Sequence, residues 1–123
     1  MFYVTRDYHF EAAHGIEGRS IHRHHFRVSL TFRGSRAAFQ SSYHGAMLIN
    51  FHDIDKIWST AVFPLMVDAD SNVKVWNASC EVLAEWISAR LAKVVWTGSS
   101  CELYSVKVND GEIEVELRNE DAS

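Results

Sequence analysis

Phe10-Glu-Ala-Ala-His14, followed after a seven-residue loop by His22-Arg-His24-His25-Phe26-Arg-Val28-Ser-Leu30-Thr-Phe32-Arg33, is the stretch whose reading decides the fold. Successive side chains of an extended strand point to opposite faces. Phe26, Val28, Leu30 and Phe32 therefore share one face, and His25, Arg27, Ser29, Thr31 and Arg33 the other, which is the period of a half-buried strand. His22 and His24 continue the apolar face, with Cα atoms about 7 Å apart. Imidazoles on an inward face need polar partners rather than water. The loop between carries Gly15 and Gly18 and is short enough to bring His14, at the end of the preceding strand, back beside His22. Three histidines with one position left open is the arrangement expected of catalytic rather than structural zinc. By spacing alone, the same residues also read as solvated histidines at a strand end; their inward placement separates the two.

Outward from this stretch, residues 2–10 alternate, with Phe2, Val4, Tyr8 and Phe10 on one face, interrupted by Arg6, and Tyr3, Thr5, Asp7 and His9 on the other. Ala46-Met-Leu-Ile-Asn50-Phe51 reads as a further short strand. Ile54, Ile57, Trp58, Ala61 and Val62 then recur at helical spacing over about three turns, with Pro64 marking the end. Val67-Asp68-Ala-Asp70-Ser-Asn72 is acidic and turn-prone. Asn77 or Ser79 caps the next helix, Glu81 suits its first turn, and Val82, Leu83, Trp86, Ile87, Leu91 and Val94 form its buried stripe up to a stop at Thr97-Gly-Ser-Ser. Glu102 to Val108 and Glu112 to Arg118 read as a hairpin around Asp110-Gly111, with Glu112, Glu114 and Glu116 as a solvated face. The order is strand, strand, strand, helix, helix, strand, strand. The fold class is α+β, an antiparallel sheet with two helices on one face.

The 123 residues make one domain, residues 1–123. A net charge of −4 with scattered basic residues leaves no electrostatic footprint for nucleic acid or an anionic membrane. No apolar stretch approaches the length of a membrane span, and the first residues lack the pattern of a secretory signal, so the expectation is a cytoplasmic protein. There Cys80 and Cys101 would stay thiols. No Gly-x-Gly-x-x-Gly or P-loop pattern occurs.

The sequence resembles the 6-pyruvoyl-tetrahydropterin synthase and 6-carboxy-tetrahydropterin synthase family. Phe10-Glu-Ala12-Ala-His14 fits that family's Phe-x-Ala-x-His, and His22-Arg-His24 its His-Gly-His. Ala46-Met47-Leu-Ile-Asn50-Phe51 fits part of Gly-Met-x-x-Asp-Phe, and Ala78-Ser79-Cys80-Glu81-Val-Leu83-Ala84 the start of a later helix. The resemblance implies Zn2+ on His14, His22 and His24. It also implies a small-molecule substrate and a homo-oligomer, a trimer or hexamer of the tunnelling-fold type whose subunits close into a β-barrel. The departures fall on the chemistry. The family's loop cysteine, thought to abstract a proton, falls on Gly18, and its Asp-His relay on Val67-Asp68 or Asp68-Ala69. The glutamate that anchors a pterin falls on Asn109, the glycine of His-Gly-His is Arg23, and the aspartate of Gly-Met-x-x-Asp-Phe is Asn50.

A metal-dependent lyase or cyclase working on a non-standard substrate by elimination, dehydration, isomerisation or ring closure is the leading expectation. His25, Asp68, Asp70, His44 and Cys80 are its candidate acid or base groups, and Ser79, Glu81 and Asn109 its candidate substrate contacts. The alternatives are a pterin synthase acting on dihydroneopterin triphosphate with a substitute base, and a non-catalytic binding or assembly module on the same fold.

Overall fold

The computed structural model describes residues 1–18, 21–37, 47–94 and 101–119. Four strands form one antiparallel sheet in the order β1 (Phe2–His14), β2 (His22–Gly34), β3 (Glu102–Asn109) and β4 (Glu114–Arg118). Between β2 and β3, two helical segments pack over the sheet among the residues described from 47 to 94. The first comprises α1 (Phe51–Ile57), a π-helical turn (Trp58–Val62) and α2 (Phe63–Met66), and the second is α3 (Cys80–Leu91). The α+β class and the antiparallel sheet are as the alternation requires.

Three local expectations need correction. No strand forms in the stretch expected over 46–51. Met47 to Asn50 is irregular, Phe51 opens α1, and Ala46 lies outside the described residues. Asn50 caps α1, its side-chain oxygen accepting the His52 backbone N–H at 3.0 Å, while Leu48 and Ile49 are buried. A short apolar run reports burial, and its period is too brief to choose between strand and plug. Pro64 does not end the first helical segment, which runs on to Met66. The π turn shifts the ladder, with the Phe63 N–H reaching the Trp58 carbonyl. Pro64 thus falls in the first turn of α2, where a missing N–H costs no ladder bond. The second helix ends at Leu91, before Val94; the stop expected at 97–100 lies outside the described residues.

The core lies between one sheet face and the helices. Ala12, Phe26, Val28, Leu30, Phe32, Val106 and Val108 supply the sheet side. Ile54, Trp58, Val62, Met66, Leu83, Ala84, Ile87 and Leu91 pack onto them. Arg6, which breaks the apolar period of β1, is explained by the helix above it. Its guanidinium grips Asp55 through Nε at 2.9 Å and a second nitrogen at 2.8 Å, and the Tyr8 hydroxyl donates to the same carboxylate at 2.6 Å. Tyr8 in turn stacks on Trp58 with ring centroids 4.4 Å apart.

β1 runs four residues beyond the alternation read at 2–10, to His14, and pairs with β2 in a register that sets His14 opposite His22 and Ala12 opposite His24. The chain after α2 then lies along the outer edge of β1: Ala13 donates to the Ser71 carbonyl at 2.9 Å, Val73 to Ala13 at 2.8 Å, and Ala78 to Gly15 at 3.1 Å. Asn77, with φ +56, accepts the Glu17 N–H at 2.9 Å. These bonds fix residues 77–79 behind His14 and so position the site.

Candidate metal centre

The inward face at one end of the sheet carries His14, His22 and His24, and one residue beyond the end of β3 it carries Asp110. Parity explains the last: Val106 and Val108 point inward, so the next inward position is 110. His14 is 7% exposed, and its Nδ1 lies 2.6 Å from the Ala78 carbonyl. A carbonyl only accepts, so Nδ1 carries the proton and Nε2 presents a lone pair. Metal-binding histidines are oriented by this kind of bond. The ring of His24 stands edge-on to that of His14, with centroids 5.0 Å apart.

Asp110 completes the cluster, with one donor atom from each of His14, His24 and Asp110 lying within 4.8 Å of the others. Its Oδ1 accepts the backbone N–H groups of Glu112 at 2.9 Å and Ile113 at 3.0 Å. Burial alone would raise the carboxyl pKa. The donations from Ile113 and Glu112, the charge of His24 and the Cys80 thiol outweigh it and hold the group below the ordinary carboxylate value. Cys80, at the start of α3 and 2% exposed, responds oppositely: burial first, then the Asp110 charge, push its thiol up to about 12.

These residues open into a cavity of about 210 Å³ lined by His14, Ile16, His22, His24, Asp110, Glu112 and Ile113. The donor set fits a divalent ion. Tetrahedral zinc with ligands at roughly 2.0–2.1 Å separates donor atoms by about 3.3 Å, so the present spacing closes with small side-chain adjustments. A family model for 6-pyruvoyl tetrahydropterin synthase matches residues 3–116. The chain belongs to that family. No curated protein matches it. The 6-pyruvoyl tetrahydropterin synthase family is one of pterin-related, lyase-type enzymes of the tunnelling fold, typically zinc-dependent. No helix among the described residues is long and apolar enough to cross a membrane.

Within this member of the 6-pyruvoyl tetrahydropterin synthase family, the sequence-derived site residues divide sharply. His14 and His24 meet in the cluster. His22 lines the same cavity from its exposed rim, its ring centroid 6.0 Å from that of His24. His25 stands on the opposite, solvent-facing side of the sheet, 3.2 Å from the Nδ1 of His9. Asp68 is spent on its own turn, accepting from Asp70 and Asn72 at 2.9 Å each. The Asn72 and Asp70 N–H groups hold its pKa below the usual carboxylate value despite some burial. Asp70 is exposed on the same turn, and neither aspartate lines the cavity. Cys80 sits behind Asp110 as a protonated donor, which is the wrong state for a base. Ser79 is the N-cap of α3, accepting the Val82 N–H at 3.1 Å, and Glu81 is an exposed first-turn residue. The Asn109 side chain accepts the Gly111 N–H at 2.7 Å within the hairpin turn. His44 lies outside the described residues.

Sequence reasoning missed two lining carboxylates. Asp110 looked like a turn residue, though extending the inward parity of Val106 and Val108 would have found it. Glu112 looked like the start of a solvated ladder, but β4 begins only at Glu114, so the alternation does not govern it. Gly18, in the slot of the family's cysteine, has φ +80. The shortened loop turns there in a conformation that disfavours any side chain.

Proposed function

We propose that this chain is a metal-dependent lyase or cyclase that keeps the zinc pocket of the 6-pyruvoyl tetrahydropterin synthase family and applies it to a substrate other than the family's standard one. The observation that carries this proposal is the gathering of His14, His24 and Asp110 at the base of one cavity, with His14 locked by Ala78 in the tautomer that offers Nε2. Zinc suits the donors, and the three histidines His14, His22 and His24 would hold it. When bound, it polarises a substrate oxygen and acidifies an adjacent C–H or O–H.

The chain's own residues supply the rest. Ile16 and Ile113 line the cavity, and Glu112 lines it with a carboxylate able to accept a proton from a small molecule held there. Among the described residues, Gly18 brings no side chain and His25, Asp68, Asp70 and Cys80 do not line the cavity, so Glu112 takes the place of the cysteine and Asp-His machinery as the base in this reading. Elimination, dehydration, isomerisation and ring closure all need this pairing of an acidified hydrogen with one nearby base. The enzyme works in the cytoplasm as a homo-oligomer.

Metal analysis of the purified protein, before and after chelation and reloading, is expected to give stoichiometric zinc. Failure to take up any divalent ion would overturn the enzyme assignment in favour of a binding module. Zinc-loaded protein incubated with dihydroneopterin triphosphate is expected to leave it unconsumed. Its saturable consumption would overturn the choice of substrate while leaving the metal pocket intact.

A further inference from the structure

The sheet face turned away from the helices carries a second pair of imidazoles that the cavity does not use. By strand parity, Asp7, His9 and Glu11 of β1 share this face with His25 and Arg27 of β2. His9 lies opposite Arg27 in the register and His25 opposite Glu11, so the two imidazoles meet on the diagonal. The Nδ1 of His9 is 3.2 Å from the Nε2 of His25, with ring centroids 5.4 Å apart and the planes tilted by 35°. One ring therefore donates its N–H to the lone pair of the other. Both residues are exposed, so water could serve each nitrogen and their mutual bond adds little stability. The spacing has another meaning. Two imidazole nitrogens bound to one ion at roughly 2.0–2.1 Å stand about 2.9 Å apart at a right angle and about 3.3 Å apart at a tetrahedral one. The observed separation falls between these limits. Continuous pairing of β1 with β2 from Phe2 to His14 holds it there.

We propose that His9 and His25 form a second metal site, a two-imidazole chelate on the open face of the sheet. It suits a late first-row divalent ion, copper(II) ahead of nickel(II) or zinc(II). The site shares no residue with the cavity and does not depend on the metal reading given above. Binding requires only that the donating ring pass its proton, through solvent, to its other nitrogen. Both facing nitrogens then offer lone pairs, and water completes the coordination. Asp7 and Glu11, two residues to either side of His9 on the same face, bring negative charge towards the ion. Arg27 already pairs with Glu114, and Arg23, two residues before His25, is an exposed cation that opposes the two carboxylates. His25, which stands away from the cavity, thereby acquires a ligand's role on the other side of its strand.

The test titrates untagged, metal-free protein with copper(II) in competition with a chromophoric chelator. It compares wild type, His9→Gln, His25→Gln and the double variant. Both substitutions fall on an exposed face outside the cavity, and unchanged melting temperatures of the metal-free variants verify the fold. Wild type is expected to bind one equivalent of copper beyond any held in the cavity. Two linked donors gain about 100-fold or more over one, so each single variant is expected to weaken this equivalent by that factor and the double variant to add little. A copper titration that either single variant leaves unchanged overturns the proposal, since one exposed histidine is then an adventitious binder. The cavity is judged separately. A single equivalent in wild type that both single variants abolish upholds this site and counts against the cavity centre. A single equivalent that neither variant alters overturns this site and leaves the cavity centre standing.

Discussion

His14 illustrates how much one side chain can be asked to do. Its Nδ1–H satisfies the Ala78 carbonyl at the start of the segment leading into α3, and its Nε2 faces the cavity. Removing it in metal-free protein strands that carbonyl and opens a buried space, so His14→Ala is expected to cost about 2–3 kcal/mol. His22→Ala, at an exposed rim position, is expected to stay within about 0.5 kcal/mol. Urea denaturation in the presence of chelator checks both. A large loss from His22→Ala would mean that the rim histidine carries structural weight that its exposure does not suggest. The same scale shows why Asp68, a candidate acid or base, and Ser79 and Asn109, candidate substrate contacts, are engaged in local bonds instead of lining the cavity. Asp68, Ser79 and Asn109 are turn and cap formers by residue type, and the hydrogen bonds they make are local ones that the chain could be read to contain. Cys80, by contrast, could be assigned only once Asp110 was found beside it.

At the scale of elements, the junction of β1 with α1 is electrostatic as well as apolar. The bond from Arg6 is the largest influence on Asp55, followed by burial, which opposes it, and the Tyr8 hydroxyl, and the net effect holds the carboxyl below the usual carboxylate range. A carboxylate with a depressed folded-state pKa contributes stability that is present above its unfolded value and lost as pH falls through the folded one. Wild type is therefore expected to lose stability below about pH 4 more steeply than Asp55→Asn, which is uncharged throughout. Thermal unfolding from pH 6 to pH 3 reads this, and parallel curves for the two proteins would refute it. The first helical segment supplies another expectation. Pro64 sits in the first turn of α2 after the π turn, so Pro64→Ala is expected to be neutral or to lose up to about 1 kcal/mol through a freer unfolded chain. A proline that broke a continuous helix would instead give a gain of about 3 kcal/mol on replacement.

The whole molecule presents a sheet with two long edges. Among the described residues, β1 is paired on its outer side only at Ala13, through the bridge to Asn72, and β4 has no strand beyond it. Exposed strand edges template further pairing. The expected remedy is closure of β1 of one subunit against β4 of the next into a ring. Sedimentation or light scattering should accordingly return a mass that is a threefold or sixfold multiple of 14.0 kDa. A monomer at micromolar concentration would remove the ring from the proposal.

The sequence by itself determined the α+β class, the β1–β2 and β3–β4 hairpins and the inward placement of His24, with His22 exposed at the rim of the same face. These rest on a period-two pattern, and a pattern is carried by residues near one another in the chain. It did not determine that 46–51 would plug rather than pair, that Pro64 would follow a π turn, or that Asp110, 96 positions after His14 in the numbering, would stand beside it. Only the tertiary structure decided these, because register between distant strands and the burial of a turn residue depend on what packs against them. Parity says which face Asp110 points to. The pairing of β2 with β3 says whose histidines it meets there.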